Sequence, residues 1–374
     1  MKRDIVGLIY TGERIDQLRD LTRIRSVAAL PVLGRYRMID FILSSMIHSE
    51  IHNIGIIMQK NYHSLMDHLG SGREWDLHGK RNGMTILPPY MSRDNVGVYE
   101  GLLDALRSNI GFLRRSKERY IAVTDSHILF SVQYEKMLAH HLENGADITL
   151  LYTKDRSARR NGAGRYLEVD AQGTVHQIEC DPSIPRYENT YMSAFLVRRE
   201  LLIDLVDRAV SAGYHHFTRE LLTHILRDKS YKVCGFECPG SVWVMDSVES
   251  YFKANMDFLV AENRARIFNP DKPVWTKLRD EMPTHYMDGA DVSNSLIADG
   301  CIIQGRVENS ILFRGVQIKP GASVKNCIVM QDAIIQRNVE LAYAILDKQV
   351  TVRENTRMMG PAGYPLVVPK ALTI

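Results

Sequence analysis

From Asp291 onward the chain repeats itself. Val292-Ser-Asn-Ser-Leu-Ile297 returns as Val307-Glu-Asn-Ser-Ile-Leu312, as Val324-Lys-Asn-Cys-Ile-Val329 and as Leu341-Ala-Tyr-Ala-Ile-Leu346. The copies start 15, 17 and 17 residues apart. Apolar residues also recur at intervals of six, as Ile318, Val324 and Met330, then Ile335 and Leu341. A period of six inside coils of about 18 residues means three short strands per turn of a parallel β-helix. One coil is too small to bury its own apolar face, so several must stack. The hexapeptide pattern belongs to the left-handed type, an exception to right-handed crossovers. A stack of this kind ends in open strand edges. The rest of the chain or a partner must cover them, so an oligomer is expected.

The first two thirds read differently. Ile5–Ile9, Ile54–Met58, Tyr120–Val123, Ile148–Tyr152 and Phe195–Val197 are short apolar runs suited to buried strands. Phe41–His48, Tyr99–Arg114, Tyr134–His141 and Glu200–Ala212 carry helical periodicity between them. This alternation predicts an α/β domain with a mostly parallel sheet. Ligands of such sheets lie beyond the carboxyl ends of the strands, here after Ile9, Met58 and Val123. Ala254–His285 starts with helical spacing and ends in Asn269-Pro270-Asp271 and Lys272-Pro273, so it reads as a connector. The expected division is 1–253, a linker over 254–290, and a β-helix over 291–374.

Bulk properties exclude several classes. A net charge of +3 over 374 residues makes no demand for nucleic acid or an anionic membrane. The opening MKRDIVGLIY lacks the apolar stretch and cleavage site of a secretion signal, and no run approaches a membrane span. Five scattered cysteines suit a reducing compartment, so the expected location is cytoplasmic. Cys234 and Cys238 lack the second pair that a structural zinc site needs. His48 and His52 lie one helical turn apart, but Ser49 stands where a zinc protease places its glutamate.

Local motifs narrow the class further. They are Leu21–Phe41 (LTRIRSVAALPVLGRYRMIDF), His63-Ser64-Leu65 with His68, Gly101 with Asp104-Ala105, and Ala254-Asn255-Met256-Asp257. Over essentially its whole length the chain resembles the bacterial ADP-glucose pyrophosphorylases, or glucose-1-phosphate adenylyltransferases, nearest to their regulatory-subunit type. The resemblance implies a Rossmann-like nucleotidyltransferase domain of the GT-A-like kind followed by a left-handed β-helix. It also implies a reaction in which a glucose 1-phosphate oxygen attacks the α-phosphate of ATP and pyrophosphate leaves. Such catalysis is mostly positioning and cationic stabilisation, with carboxylates holding Mg²⁺.

The resemblance also shows what is replaced. The family's lysine falls at Val27, and of its glycine turn only Gly12 remains, next to Glu13. Tyr90 replaces a base-reading glutamine, and Gly101-Leu102-Leu103-Asp104-Ala105 lacks the family's hydroxyl. The two metal aspartates fall at Ser126 and Val244. Asp125 is expected to face away from Ser126 along an extended segment, and Asp246 lies two residues past Val244. The family's Glu-Lys-Pro becomes Glu179-Cys180-Asp181-Pro182, which keeps the glutamate and loses a phosphate-binding lysine. Because about 1.4 kcal/mol is tenfold in rate, joint loss of these groups removes many powers of ten.

No catalytic residue is therefore expected, and no metal or cofactor. Mg²⁺ and ATP would act only in a catalytic partner, or here if weak activity survives. A remnant nucleotide and sugar cleft is expected at Gly12, Thr22, Tyr90, Gly101, Asp104, Glu179 and Phe217. The resemblance places an anionic effector, a sugar phosphate or nucleotide, near Arg25, Arg35 and Arg37, with Arg337 and Arg353 completing the site. Ile24 replaces a basic contact of some family members. The expected function is a regulatory, largely non-catalytic subunit that joins catalytic chains in a heterotetramer; a weak adenylyltransferase using Asp125 or Asp246 is the alternative. A hexapeptide acyltransferase would carry a histidine on its β-helix, and none follows Tyr286.

Overall fold

The computed structural model describes residues 4–12, 16–79, 82–89, 99–160 and 162–374. Glu13 and Tyr90 lie outside the described residues. The chain forms two compact units that do not follow chain order. One is Met1–Arg14 with Phe41–Trp243, and the other is Ile15–Asp40 with Val244–Ile374. The linker boundary expected at residue 254 falls inside a helix, Val248–Asp257. That helix is tied to the 15–40 segment, which explains the grouping. Asn255 is fully buried and its Oδ1 accepts the Leu33 N–H at 3.0 Å. Tyr251 donates its hydroxyl to the Pro31 carbonyl at 2.6 Å.

The first unit is built on a nine-stranded sheet. Ile5–Tyr10 has parallel neighbours on both sides, Tyr120–Asp125 and Ile54–Ile57. All six of its residues are buried, which is why IVGLIY has no polar alternation. Met84–Leu87 continues the parallel set. The sheet is mixed rather than mostly parallel beyond Tyr120–Asp125, because the ten-residue strand Asn189–Arg198 joins it antiparallel. That strand also pairs antiparallel with Ile148–Thr153 and Arg165–Val169. Its register shifts between Tyr191 and Phe195, and Ser193 takes φ +50° within the bulge. The helix expected over 99–114 is two helices, Leu102–Ser108 and Ile110–Arg115. Asn109 breaks them by donating its amide to the Ala105 carbonyl.

In the second unit the repeats form a parallel β-helix of three five-stranded sheets. Val292, Val307, Val324, Leu341 and Met358 stack in register, so the repeated position of the sequence is one column of the core. Ile303, Ile318, Ile335, Leu312, Val329 and Leu346 fill the other interior columns at full burial. The third residue of each repeat turns the corner in the left-handed region: Asn294, Asn309, Asn326 and Tyr343 have φ of 40°, 47°, 50° and 51°. Asparagine visits that region at low cost, which explains its recurrence. No helix among the described residues is long and apolar enough to cross a membrane. All five cysteines are free.

Candidate functional site

The first unit holds a cavity of about 270 Å³ at the carboxyl ends of its central strands. Tyr10 and Gly12 enter it from the first strand, and Val123, Thr124 and Asp125 from its neighbour. Arg165, Tyr191, Ser193 and Phe195 come from the antiparallel side. Tyr99–Leu102 and His216–Arg219 close it.

Two glycines are required by contact. A Cβ on Gly101 would stand 2.2 Å from the His215 carbonyl oxygen, and one on Gly12 would stand 2.6 Å from the Gln59 side chain. Gln59 is fixed there by donating to Tyr10 Oη and to the Tyr99 carbonyl, each at 3.1 Å. Asp104 supports the wall from behind. Its Oδ2 accepts the N–H groups of Glu100 and Gly101, and its carboxylate lies 2.9 Å from His215 Nδ1. That hydrogen bond raises the His215 pKa above the ordinary imidazole value. Glu220 accepts the N–H groups of His215 and His216 at 2.7 and 2.6 Å. Burial works to raise the Glu220 carboxyl, and these backbone donors outweigh it, so the pKa is lowered. The Phe217–Leu222 segment that follows is a π-helix, a form found mostly at functional sites. Phe217 stacks on Phe195 with ring centroids 4.1 Å apart.

Asp125 corrects one expectation. It lies in the cavity wall, while Ser126 is 2% exposed and does not line it. The two do differ in facing, but it is Asp125, the last residue of the strand, and not Ser126 that meets the cavity. Asp125 Oδ1 accepts the Ser126 N–H at 2.6 Å and lies 3.3 Å from His127 Nδ1. Two arginines missed in the sequence also reach the wall. Arg165 donates to Ser193 Oγ at 2.9 Å, and Arg219 pairs with Asp181. Only the Arg165–Cys180 hairpin and the bulge at Ser193 reveal them, and neither has a sequence signal. Glu179 is not in the wall; it accepts both the N–H and the guanidinium of Arg186. Among the described residues no three His, Cys, Asp or Glu side chains gather as a metal site.

The second unit holds the basic residues. Arg25 Nη2 donates to both carboxylate oxygens of Asp347, at 2.8 and 2.9 Å, with side chains 3% and 1% exposed. Lys348 follows, and burial, with the fields of Arg37 and Arg25, pushes its ammonium down to about 7. Arg37 is buried, and its N–H donates to Asp40. The structure therefore brings Arg25, Arg37 and Lys348 together. Arg337 and Arg353 do not join them. They are exposed and follow the strands Ile334–Ile335 and Thr351–Val352, one corner of the coil later. Arg35 is exposed and lies over the Tyr36 ring. Thr22 closes the Asp16–Thr22 segment of this same unit.

Residues 6–260 match the nucleotidyl transferase family, and residues 283–360 match the GlmU-like C-terminal hexapeptide family. The glycogen biosynthesis protein GlgD of Bacillus subtilis is 33% identical over 98% of this chain and 96% of its own length. GlgD of Geobacillus stearothermophilus is 33% identical over 87% of this chain and 84% of its own. A glucose-1-phosphate adenylyltransferase of Thermomicrobium roseum is also 33% identical, over 94% and 82%. The chain belongs to the GlgD and glucose-1-phosphate adenylyltransferase family.

Membership assigns the β-helix to the left-handed hexapeptide type and sharpens the meaning of the replaced positions. Val27, where the resemblance expects a lysine, is buried in a short turn with Ala28 and Ala29. Ser126 is packed behind the cavity wall of the first unit. Val244 closes the two-residue strand Trp243–Val244. Asp246 donates its N–H to Ser250 Oγ at the start of the Val248–Asp257 helix. The Gly12 and Gly101 contacts and the Asp104 and Glu220 caps hold the wall of the first unit's cavity.

Proposed function

We propose that this chain is a regulatory, largely non-catalytic subunit of glucose-1-phosphate adenylyltransferase in glycogen biosynthesis. It joins catalytic chains in the cytoplasm, as a heterotetramer, and shifts their activity or effector response. The observation that carries this reading is the burial of Val27 and Ser126 where the resemblance expects a phosphate-binding lysine and a metal carboxylate. A buried valine offers a triphosphate no charge. Ser126 offers Mg²⁺ no anionic oxygen, and divalent magnesium is normally held by carboxylates and substrate phosphates. Mg²⁺ and ATP then serve the catalytic partner.

The anion-effector part of the proposal rests on Arg37 and Lys348, since the Arg25 charge is engaged by Asp347. Arg35, Arg337 and Arg353 lie outside that cluster. Regulation of this kind requires contacts with the partner that differ between its active and inactive states. The test is an assay of a catalytic glucose-1-phosphate adenylyltransferase chain with and without this chain, across sugar-phosphate effectors. Co-elution with a changed rate, affinity or effector profile is expected. Separate elution with an unchanged profile overturns the proposal.

One observation favours a second reading, weak adenylyltransferase activity. Asp125 stands in the cavity wall, within reach of a bound ligand. Turnover by the pure chain with ATP, Mg²⁺ and glucose 1-phosphate, abolished by Asp125→Ala, would establish it.

A further inference from the structure

The hairpin of Arg165–Val169 and Val175–Cys180 lies at one end of the first unit's sheet, and its register sets Arg165 opposite Cys180. Directly opposed residues of an antiparallel pair project from the same face. The half-buried Arg165 reaches the cavity wall, whereas Cys180 does not line it. Arg219 arrives from the π-helix and is held by Asp181, whose Oδ1 accepts the Gly164 N–H at 2.9 Å. Both guanidinium charges are felt at position 180. Burial pushes the Cys180 thiol up, while Arg165 and Arg219 both draw it down. Positive charge therefore gathers around a residue that carries none, at the position where the resemblance expects a lysine.

The opposite side of the cavity is acidic. The strand Asn189–Arg198 separates the Arg165 strand from the strand that ends in Asp125. Between the two ends the lining is aromatic and hydroxylic, with Phe217 stacked on Phe195 and with Tyr191, Ser193 and Thr124. Arg165 Nη1 donates to Ser193 Oγ at 2.9 Å, which fixes the guanidinium along this wall. Small-molecule sites combine such linings with a few directed polar groups, and their volumes usually run from about 300 to 1,000 Å³. A cavity of about 270 Å³ is at the small end, the size for one ring with one charged substituent. A phosphate would face the arginines, which suit bidentate oxyanion binding. The apolar face of the ring would meet the aromatic side chains, and its hydroxyls the Asp125 end.

We propose that Arg165 supplies, from the neighbouring strand, the phosphate-binding cation that position 180 lacks, so that this cavity holds a monosaccharide phosphate without Mg²⁺ or ATP. The inference rests on the reading of this chain as largely non-catalytic and assigns its degenerate cleft a ligand. The chain then registers the level of a sugar phosphate without consuming it, and occupancy of the cleft can bias its contacts with a partner.

The test is calorimetry on the full chain alone, with glucose 1-phosphate as probe, EDTA present and nucleotide absent. Glucose and inorganic phosphate are the comparison ligands. Glucose 1-phosphate should bind at least tenfold more tightly than either. Arg165→Met should weaken it at least tenfold and leave the weak glucose affinity unchanged, and Arg165→Lys should keep most of the affinity. Cys180→Lys added to Arg165→Met should restore binding by moving the cation back across the hairpin. Thermal unfolding without ligand should give Arg165→Lys and the parent the same midpoint. No binding by the parent overturns the proposal, as does an affinity that appears only with Mg²⁺. Equal affinity in the parent and Arg165→Met overturns it too, because that binding lies elsewhere, as at Arg37 and Lys348. The subunit reading fails on a different observation, separate elution from a catalytic chain, so the two failures are distinct.

Discussion

The cleft of the first unit and the Arg25 corner of the second treat charge in opposite ways. In the cleft the backbone is held tightly: Gly101 touches the His215 carbonyl, and Asp104 and Glu220 cap the loops. Ser126, just beyond the strand that carries Asp125 into the wall, is neutral and 2% exposed. At the corner a full ion pair is buried, with Asp347 1% exposed. A cleft can lose its chemistry and keep its shape, because caps and glycine contacts stabilise the fold independently of any ligand. A buried pair cannot lose one member, because the other is left charged in a low dielectric.

The contrast is tested most severely at the pair. Asp347→Ala should cost about 3–5 kcal/mol in denaturant unfolding, because it strands Arg25. Arg25→Met with Asp347→Leu should recover most of that loss; a double variant as unstable as the single one would mean that the corner depends on the charges themselves. In the cleft, Gly101→Ala should cost about 1–3 kcal/mol, the range of an overpacked contact. In the second unit, Val27→Lys should also destabilise, by burying an unpaired ammonium. A Val27→Lys chain of unchanged stability would mean that the surroundings of Val27 can accommodate a charge.

Lys348 gives a pH-dependent distinction. Its folded pKa is about 7, below the ordinary lysine value of 10.5. Between those values the unfolded chain binds more protons, so stability should rise with pH from about 7 to about 10.5. Lys348→Met should flatten that rise in thermal unfolding profiles. A slope unchanged by the substitution would remove Lys348 from the cluster. The smallest effect is expected at Asp104. Asp104→Asn should lower the His215 pKa in an NMR titration and change stability by under about 1 kcal/mol, since His215 is 40% exposed. The sign differs from that of Lys348. A raised histidine pKa stabilises below its unfolded value of 6.5 and is lost as pH rises through the folded one.

Legibility differed between the units for a physical reason. The β-helix repeats one local rule, so Val307, Val324 and Leu341 announce a shared column, and Asn309 and Asn326 announce the corners. The central parallel strands were equally plain, because burial on both faces forces continuous apolar runs. Gly12, Gly101 and Phe217 line the cavity of the first unit. Arg165, Ser193 and Arg219 were not foreseen, since they arrive through a hairpin, a bulge and a π-helix. Asp125 was expected to turn away from the cleft, and only the pairing of its strand beside Tyr10 shows that it, rather than Ser126, meets the cavity. The arginines of the 15–40 run looked like one cluster. Arg25 and Arg37 stay together beside Lys348, where Arg25 meets Asp347, 322 residues away, whereas Arg35 lies over the Tyr36 ring.

By itself, the sequence determined the stacked coils, the parallel core of the first sheet, and the absence of lysine and carboxylate at Val27, Ser126 and Val244, because each is written in residue type or in short-range periodicity. Tertiary structure alone decided that the 15–40 segment folds with residues 244–374, that Asp125 reaches the cavity, and that Arg25 is neutralised by Asp347. Those outcomes depend on which distant side chain occupies the neighbouring coil or strand, and no local pattern encodes that.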